Sequence, residues 1–262
     1  MTSRGTLYLV PNLLGVVLPE DVLPARTLAV ARSLMHWIVE TPKPARAFLK
    51  SLGLAQPIAS LVITPMPPVD ARKDVTALLR PLLDGSDAGV LSDAGCPGVA
   101  DPGARVVAAA HAAGVRVVPL VGPSSILLAL MASGMNGQGF AFHGYLPVPA
   151  PERAAALRRL EDDSRAHRRA QLFIETPYRN EAMIRALGEA LQPDTDVVIA
   201  ADLTLPGETV ERRSAAQWRR EDPARFAKRP AMYVLEAKGE VPPARGRTPP
   251  ARGQIPQAGG KR

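Results

Sequence analysis

The sequence predicts an α/β fold of two α/β domains, an N-terminal one with a mostly parallel sheet and a C-terminal one with a mixed sheet, separated by an interdomain cleft. Three observations predict it. In the first half, short β-rich apolar runs alternate with helical stretches, the pattern of a parallel sheet covered on both faces. In the second half the alternation is less regular, and the LTLPGE turn at 203–208 points to a hairpin-like antiparallel pair. Between them, MNGQG at 135–139 joins turn residues to a change in character. The expected domains are 1–137 and 138–240, followed by a disordered basic Pro/Gly-rich tail, 241–262.

Residues 6–10, TLYLV, read as a short strand, and the loop after them, PNLLGVVLPED, carries a single glycine. A dinucleotide fold would place a Gly-rich turn there, so the usual NAD fingerprint is absent. A helix over 24–35 leads to a strand at 37–39 that ends at Glu40. Residues 43–52 form an amphipathic helix, with Ala47, Phe48, Leu49 and Leu52 opposite Lys43, Arg46 and Lys50. A strand at 61–64 follows, then a helix over 70–83 with Val75, Leu78, Leu79 and Leu82 on one face, and a strand at 88–91. The next helix covers 104–113 and the next strand 115–121. Gly122-Pro123-Ser124-Ser125 then opens ILLALMASGM, where Ser124 or Ser125 suits the N-cap and Gly134 the position after the helix end. That helix is apolar almost all round, which predicts burial. In the second half, strands are expected at 140–143, 171–175, 196–202, 209–213 and 231–237, with helices at 151–163, 180–191 and 214–220.

The stretch GVLSDAGCPGVADPG (89–103) organises the rest. Ala94, Gly95, Gly98 and Ala100 barely screen the main chain, so its N–H and C=O groups can approach a compact polar ligand. Asp101-Pro102-Gly103 supplies an N-cap acceptor and a proline at the first helical position, so Asp101 reads as a helix start. Asp93 stands at the strand's carboxyl end, where open parallel sheets bind ligands, and is the better candidate to touch one. Gly122 to Ser125 is a second small-residue loop at a strand's carboxyl end, and the two loops can face one ligand.

Composition bounds the partners. With 262 residues, 46% of them hydrophobic, the chain can bury real cores. No apolar run approaches the roughly 18 residues of a membrane span, and the N-terminus lacks a signal-peptide layout, so a cytoplasmic, non-membrane protein is expected. Cys96 is the single cysteine, and His36, His111, His143 and His167 show no ligand spacing, so no metal is expected. The net charge of +7 divides as +2 over 1–137, 0 over 138–240 and +5 over 241–262, so most of the basicity belongs to the tail.

Four segments, SDAGCPGVADPG (92–103), VPLVGPSSILLALMASGM (118–135), FAFHGYLP (140–147) and LFIETPYRN (172–180), resemble in order and spacing the tetrapyrrole-methylase superfamily of class III S-adenosylmethionine (SAM) methyltransferases. Within it the likeness is to the ribosomal RNA small subunit methyltransferase I branch, over about residues 5–240. The resemblance implies a homodimer that binds SAM bent in the interdomain cleft, with rRNA as the acceptor. It carries the family's cofactor contacts onto Pro11, onto Ser92, Asp93, Ala94, Gly95 and Pro97, and onto Ser124 and Ser125. Ala129, Met131, Ala132, Tyr145, Pro230, Ala231 and Met232 are implied to close round the adenosine.

The departures lie elsewhere. A TPIGN-like turn is replaced by PNLLG at 11–15, and an EDTR-like stretch by ETPK at 40–43, where Glu40 matches and Lys43 is conservative. A RELTK-like motif appears as ADLTL at 201–205, without its two basic residues, while Glu208 fits the acidic residue that follows. Candidate bases are Asp93, Asp202, Glu208 and His143, and the catalytic residue stays open. Arg165, His167, Arg168 and Arg169, with Arg212-Arg213 and Arg219-Arg220, form either an RNA-facing strip or a solvated surface balanced by Glu161, Asp162 and Asp163. Three functions follow: a methyltransferase of an rRNA ribose 2′-hydroxyl, one of a tetrapyrrole or other small molecule, and a SAM-binding regulatory module that has lost catalysis.

Overall fold

A computed structural model of the protein describes residues 4–68 and 74–238. The tail 241–262 and the first part of the expected 70–83 helix lie outside the described residues.

The first sheet is built from β1 (Thr6–Leu9), β2 (His36–Val39), β3 (Val62–Pro65), β4 (Ala88–Leu91) and β5 (Arg116–Pro119), in the order β3-β2-β4-β1-β5 with every pairing parallel. Between them run α1 (Pro19–Val22), α2 (Ala25–Ser33), α3 (Pro42–Ser51), α4 (Arg80–Leu83) and α5 (Gly103–Ala112). One face is covered by α2 and α3 through Leu28, Ala31, Phe48 and Leu49 over Trp37, Val39 and Leu91. The other is covered by α4 and α5 through Leu82, Val106 and Ala110 over Leu7, Ile38 and Val90. All four residues of β4 are buried, as the centre of a doubly covered sheet requires. Gly89 has no side chain because none fits: a Cβ there would stand 2.8 Å from the Trp37 ring.

The expected helix over 70–83 is, within the described residues, a 3₁₀ turn (Thr76–Leu79) and the single turn α4. Pro81 has no N–H to give, so it stands in the first turn of a new helix instead of continuing an older one. The helix expected over 214–220 is likewise only one turn.

The second sheet holds β6 (Phe140–Tyr145), β7 (Ala170–Glu175), β8 (Asp196–Ala201), β9 (Thr209–Ser214) and β10 (Ala231–Glu236), in the order β6-β7-β10-β8-β9. β6 and β7 are parallel, and the other pairings are antiparallel. The predicted hairpin is present, with Ala201 opposite Thr209. One face is packed by α7 (Ala150–His167), α8 (Asn180–Ala190) and α9 (Ala215–Trp218), with Leu157, Met183, Ile184 and Trp218 in the core. Tyr233 stacks on Phe173 at 5.2 Å and donates to Asn180 Oδ1 at 2.9 Å, so its hydroxyl is satisfied inside that core.

The other face is covered by α6 (Ser125–Ser133), which follows the last strand of the first sheet but packs Ala129 and Leu130 against Leu172, Val198, Met232 and Val234. This helix therefore ties the two sheets together. Its caps are as expected: Ser124 Oγ accepts from Leu127 N–H at 3.5 Å, and Gly134 ends it at φ 64°. Its burial is not. Leu127 is 51% and Met131 78% exposed, because only one stripe of the helix meets the sheet.

The end of α7 is fastened to β7 by Asp163, which accepts from Arg169 Nε and Nη2, both at 2.7 Å, and from Gln171 Nε2. The Arg169 hydrogen bonds hold its carboxyl down at about 2. A carboxylate depressed on folding stabilises above its ordinary range, and that contribution is lost as pH falls through the folded value. Asp163→Asn is expected to cost about 1 kcal/mol at pH 7, and the difference from the wild type in urea midpoint is expected to close as pH is lowered toward 2.

Candidate functional site

The carboxyl ends of β1, β2, β4 and β5 converge on the loop that leaves β4. With β4 between β2 and β1, this is the crevice of an open parallel sheet. The loop is held from both sides. Asn12, 5% exposed, donates from Nδ2 to Ser92 O (2.9 Å) and Asp93 O (3.0 Å), and its N–H reaches Gly95 O at 2.9 Å. From the β2 side, Glu40 Oε2 accepts from Asp93 N–H at 2.9 Å while Asp93 Oδ1 accepts from Thr41 N–H at 3.1 Å. The loop closes on itself through Asp101, whose Oδ1 accepts from Gly98 N–H at 2.9 Å and Gly103 N–H at 2.6 Å. Gly95 (φ 68°) and Gly98 (φ 87°) supply the left-handed turns this path needs. Asp101 thus differs from the expected N-cap: Pro102 holds that position, and Asp101 pins the loop to the first helical residue.

Two adjoining cavities open over this loop. One, of about 240 Å³, is lined by Glu40, Asp93 and Asp101, by the Ser92–Cys96 stretch, and by Ser124 and Ser125. The other, of about 260 Å³, runs under the second sheet past Ala200, Leu203, Ala231 and Met232, with Glu175, Asp202 and Pro230 in its wall. Leu14, Ala94, Ser125, Tyr145 and Ile174 line both. Together they reach the roughly 300–1,000 Å³ of a small-molecule site, polar at one end and apolar at the other.

The polar end is acidic. Burial pushes the Glu40 carboxyl up, against the opposing Asp93 N–H, and the charges of Asp93 and Asp101 push it further. Burial also raises Asp101, opposed by the N–H groups of Gly98, Gly103 and Val99. Both carboxyls therefore favour the folded state below the ordinary carboxylate range, and that contribution is lost as pH rises through their raised values. A cation bound there offsets the penalty. Cys96 is raised too, by burial and then by Asp101, and its Sγ donates to Pro123 O at 3.5 Å, an environment that disfavours the thiolate.

Of the residues expected to hold a cofactor, Ser92, Asp93, Ala94, Gly95, Ser124, Ser125 and Tyr145 line the acidic cavity, and Ala94, Ser125, Tyr145, Pro230, Ala231 and Met232 the apolar one. Pro11, Pro97, Ala129, Met131 and Ala132 line neither. Pro11 packs on the loop after β5, where a Cβ on Gly122 would come within 2.4 Å of its ring, and Ala129 is taken up by the second sheet.

The candidate bases separate as well. His143 lines neither cavity, and its Nε2 meets Gln171 Oε1 at 2.5 Å. Glu208 is spent on Thr204 N–H at 2.7 Å. Asp202 lines the apolar cavity and is paired with Arg229 at 2.6 Å. Sequence reasoning passed over Glu175, buried in the same wall and paired with Arg179 at 2.5 Å. Its signal was its place at the carboxyl end of a strand. The arginine strip is largely neutralised: Arg165, Arg169, Arg212 and Arg213 pair with Asp162, Asp163, Asp196 and Glu211.

Among the described residues, no group of three or more His, Cys, Asp or Glu side chains is arranged to hold a metal, and no helix is long and apolar enough to cross a membrane. Residues 25–218 match the family model described as Tetrapyrrole (Corrin/Porphyrin) Methylases. The chain is 35% identical over 212 residues to a protein of Mycobacterium tuberculosis named ribosomal RNA small subunit methyltransferase I, covering 81% of this chain and 71% of that one. Proteins of the same name from Escherichia coli and Pseudomonas aeruginosa are 30% and 28% identical, covering 84% and 82% of this chain and 74% and 72% of theirs. Two crystal structures share the fold. The methyltransferase CobJ has a TM-score of 0.59 at 20% identity, over 91% of this chain and 98% of that one. Uroporphyrin-III-C-methyltransferase from Thermus thermophilus has 0.53 at 21%, over 89% and 92%.

The hold of Asn12 on the loop gives a direct expectation. Asn12→Ala leaves two loop carbonyls without their donor and is expected to cost about 1–3 kcal/mol in urea unfolding. Asn12→Asp, of the same shape, turns the donor into an anion facing those carbonyls and is expected to cost more.

Proposed function

The chain belongs to the tetrapyrrole (corrin/porphyrin) methylase family, whose members are SAM-dependent methyltransferases, and from that premise we propose that it methylates small-subunit ribosomal RNA on a ribose 2′-hydroxyl. The observation that carries the acceptor is the run of relatives at 28–35% identity, each named for methylation of that RNA.

The two cavities fit SAM. When bound, SAM supplies an electrophilic methyl group on a positively charged sulfur. Glu40, Asp93 and Asp101 give the acidic cavity the charge that a sulfonium and an α-ammonium group seek. The backbone of Ser92 to Gly95 and the hydroxyls of Ser124 and Ser125 are the polar groups available to the methionine end. Ala200, Leu203 and Met232 form a dry wall for the adenine, with Pro230 and Ala231 at its edge and Tyr145 at the junction. Ala129 acts at one remove, by holding α6 on the second sheet.

Methyl transfer needs nucleophile, methyl and sulfur in line, so the contribution of these residues is chiefly alignment and the exclusion of water. A ribose hydroxyl also has to lose a proton. Asp202 and Glu175, in the wall of the second cavity, are the carboxylates outside the acidic loop that are candidates to take up that proton. The reading includes a cytoplasmic homodimer. The exposed Leu127 and Met131 on α6 are apolar surface that a second copy would cover.

The acceptor is tested with tritium-labelled SAM and ribosomal particles from a strain lacking the gene. Label is expected in small-subunit rRNA, and after alkaline hydrolysis in dinucleotides, because a 2′-O-methyl group blocks cleavage at its own phosphate. Label in mononucleotides would place the methyl on a base, and label appearing only in a tetrapyrrole fraction would favour the small-molecule acceptor.

A further inference from the structure

A second group of arginines on this half lies away from the expected arginine strip, in a groove between α7 and α8. Its volume is about 420 Å³, and it is lined by Arg153, Arg158, Arg185 and one carboxylate, Glu189. The floor is alanine from both helices, including Ala154, Ala182 and Ala186. Larger residues at these positions would interdigitate and close the space between the helices.

Arg153 is the telling residue. It is only 8% exposed, its Nη1 donates to Val148 O at 2.7 Å, and its Nε is buried without a hydrogen-bond partner. Among the described residues no carboxylate pairs with Arg153 or Arg158, and Arg185 has only Glu181 at 4.0 Å. A buried guanidinium without an anion is costly, and its planar donors match the oxygens of a phosphate. Elsewhere on this half, Arg169, Arg179, Arg213, Arg225 and Arg229 each have a carboxylate within 3.0 Å.

The groove lies on the face of the second sheet opposite α6, and its two helices start at strand ends that reach the cleft. α7 follows β6, whose last residue, Tyr145, lines both cavities. α8 follows Glu175, Thr176 and Pro177, which line the apolar one. Both helices thus set out from the strand ends that form the cleft wall.

We propose that the α7–α8 groove is a phosphate site that holds the backbone of the acceptor RNA, with Arg153 at its base and Arg158 and Arg185 at its rim. This rests on the RNA reading of the acceptor. A phosphodiester of the acceptor RNA, seated here, positions the strand without reading its sequence.

The test uses the full chain with Arg158→Ala/Arg185→Ala, two exposed positions outside the SAM cavities, and protein-free small-subunit rRNA. The variant is expected to keep its melting temperature and SAM affinity while KM for RNA rises about tenfold and kcat holds. The slope of log affinity against log salt is expected to become shallower by about one to two. Arg158→Lys/Arg185→Lys keeps the charge and is expected to restore the salt slope but only part of the KM. If the wild type labels rRNA and the double alanine variant shows the same KM and salt slope, the groove assignment is overturned and the acceptor stands. If the wild type labels neither free rRNA nor the rRNA of assembled small subunits, both are overturned. If the variant is impaired only on assembled ribosomal subunits and not on free rRNA, the groove reads a protein carboxylate and the phosphate assignment is overturned.

Discussion

Strand β4 ends in the middle of a parallel sheet, and the loop that leaves it is held by hydrogen bonds from the ends of the strands on either side. Asn12 grips its first carbonyls from β1, and Glu40 and Thr41 exchange bonds with Asp93 from β2. Those bonds decide where the main chain of Ser92 to Gly95 faces, and hence what the cavity above it can hold. The same constraint forces three carboxylates, Glu40, Asp93 and Asp101, into one half-buried space, two of them with raised affinity for protons. Such a site is poorly balanced without a cation, which is the property that suits it to SAM.

The second sheet completes the site through α6. Because this helix starts at the loop after β5 and lies on β10 and β8, a single rigid element fixes the distance between the acidic loop and the apolar wall. Ser125 at its first turn lines both cavities, and Ala129 one turn later is locked into the second core. The apolar wall shares residues with this docking, since Ala200 and Met232 line the cavity and also belong to the core that α6 packs against.

Local features of the sequence were the ones that could be read. The parallel half was legible because buried strands are short, continuous and β-branched, and the loop after β4 was legible because small residues, aspartate and proline sit where a strand stops. What failed were properties that depend on a distant partner. Nothing near Glu40 says that it meets Asp93 across 53 positions, and nothing near Glu175 says that it lines a cavity with Ala200, Asp202 and Met232 from other strands. The helix that carries Met131 is apolar almost all round, which predicts burial, yet burial depends on how wide a stripe the second sheet covers. Asp101 follows the sequence pattern of a cap but spends its carboxylate on closing the loop, a choice made by the left-handed turn at Gly98.

The central claim is that the acidic loop at the end of β4 seats the cationic end of SAM, and isothermal titration of SAM into the wild type and Asp93→Ala tests it most directly. Removing one of the three carboxylates together with its anchor to Thr41 is expected to weaken SAM binding by about tenfold, or about 1.4 kcal/mol, with the fold intact. Unchanged affinity in that variant would contradict the placement of the cofactor on this loop.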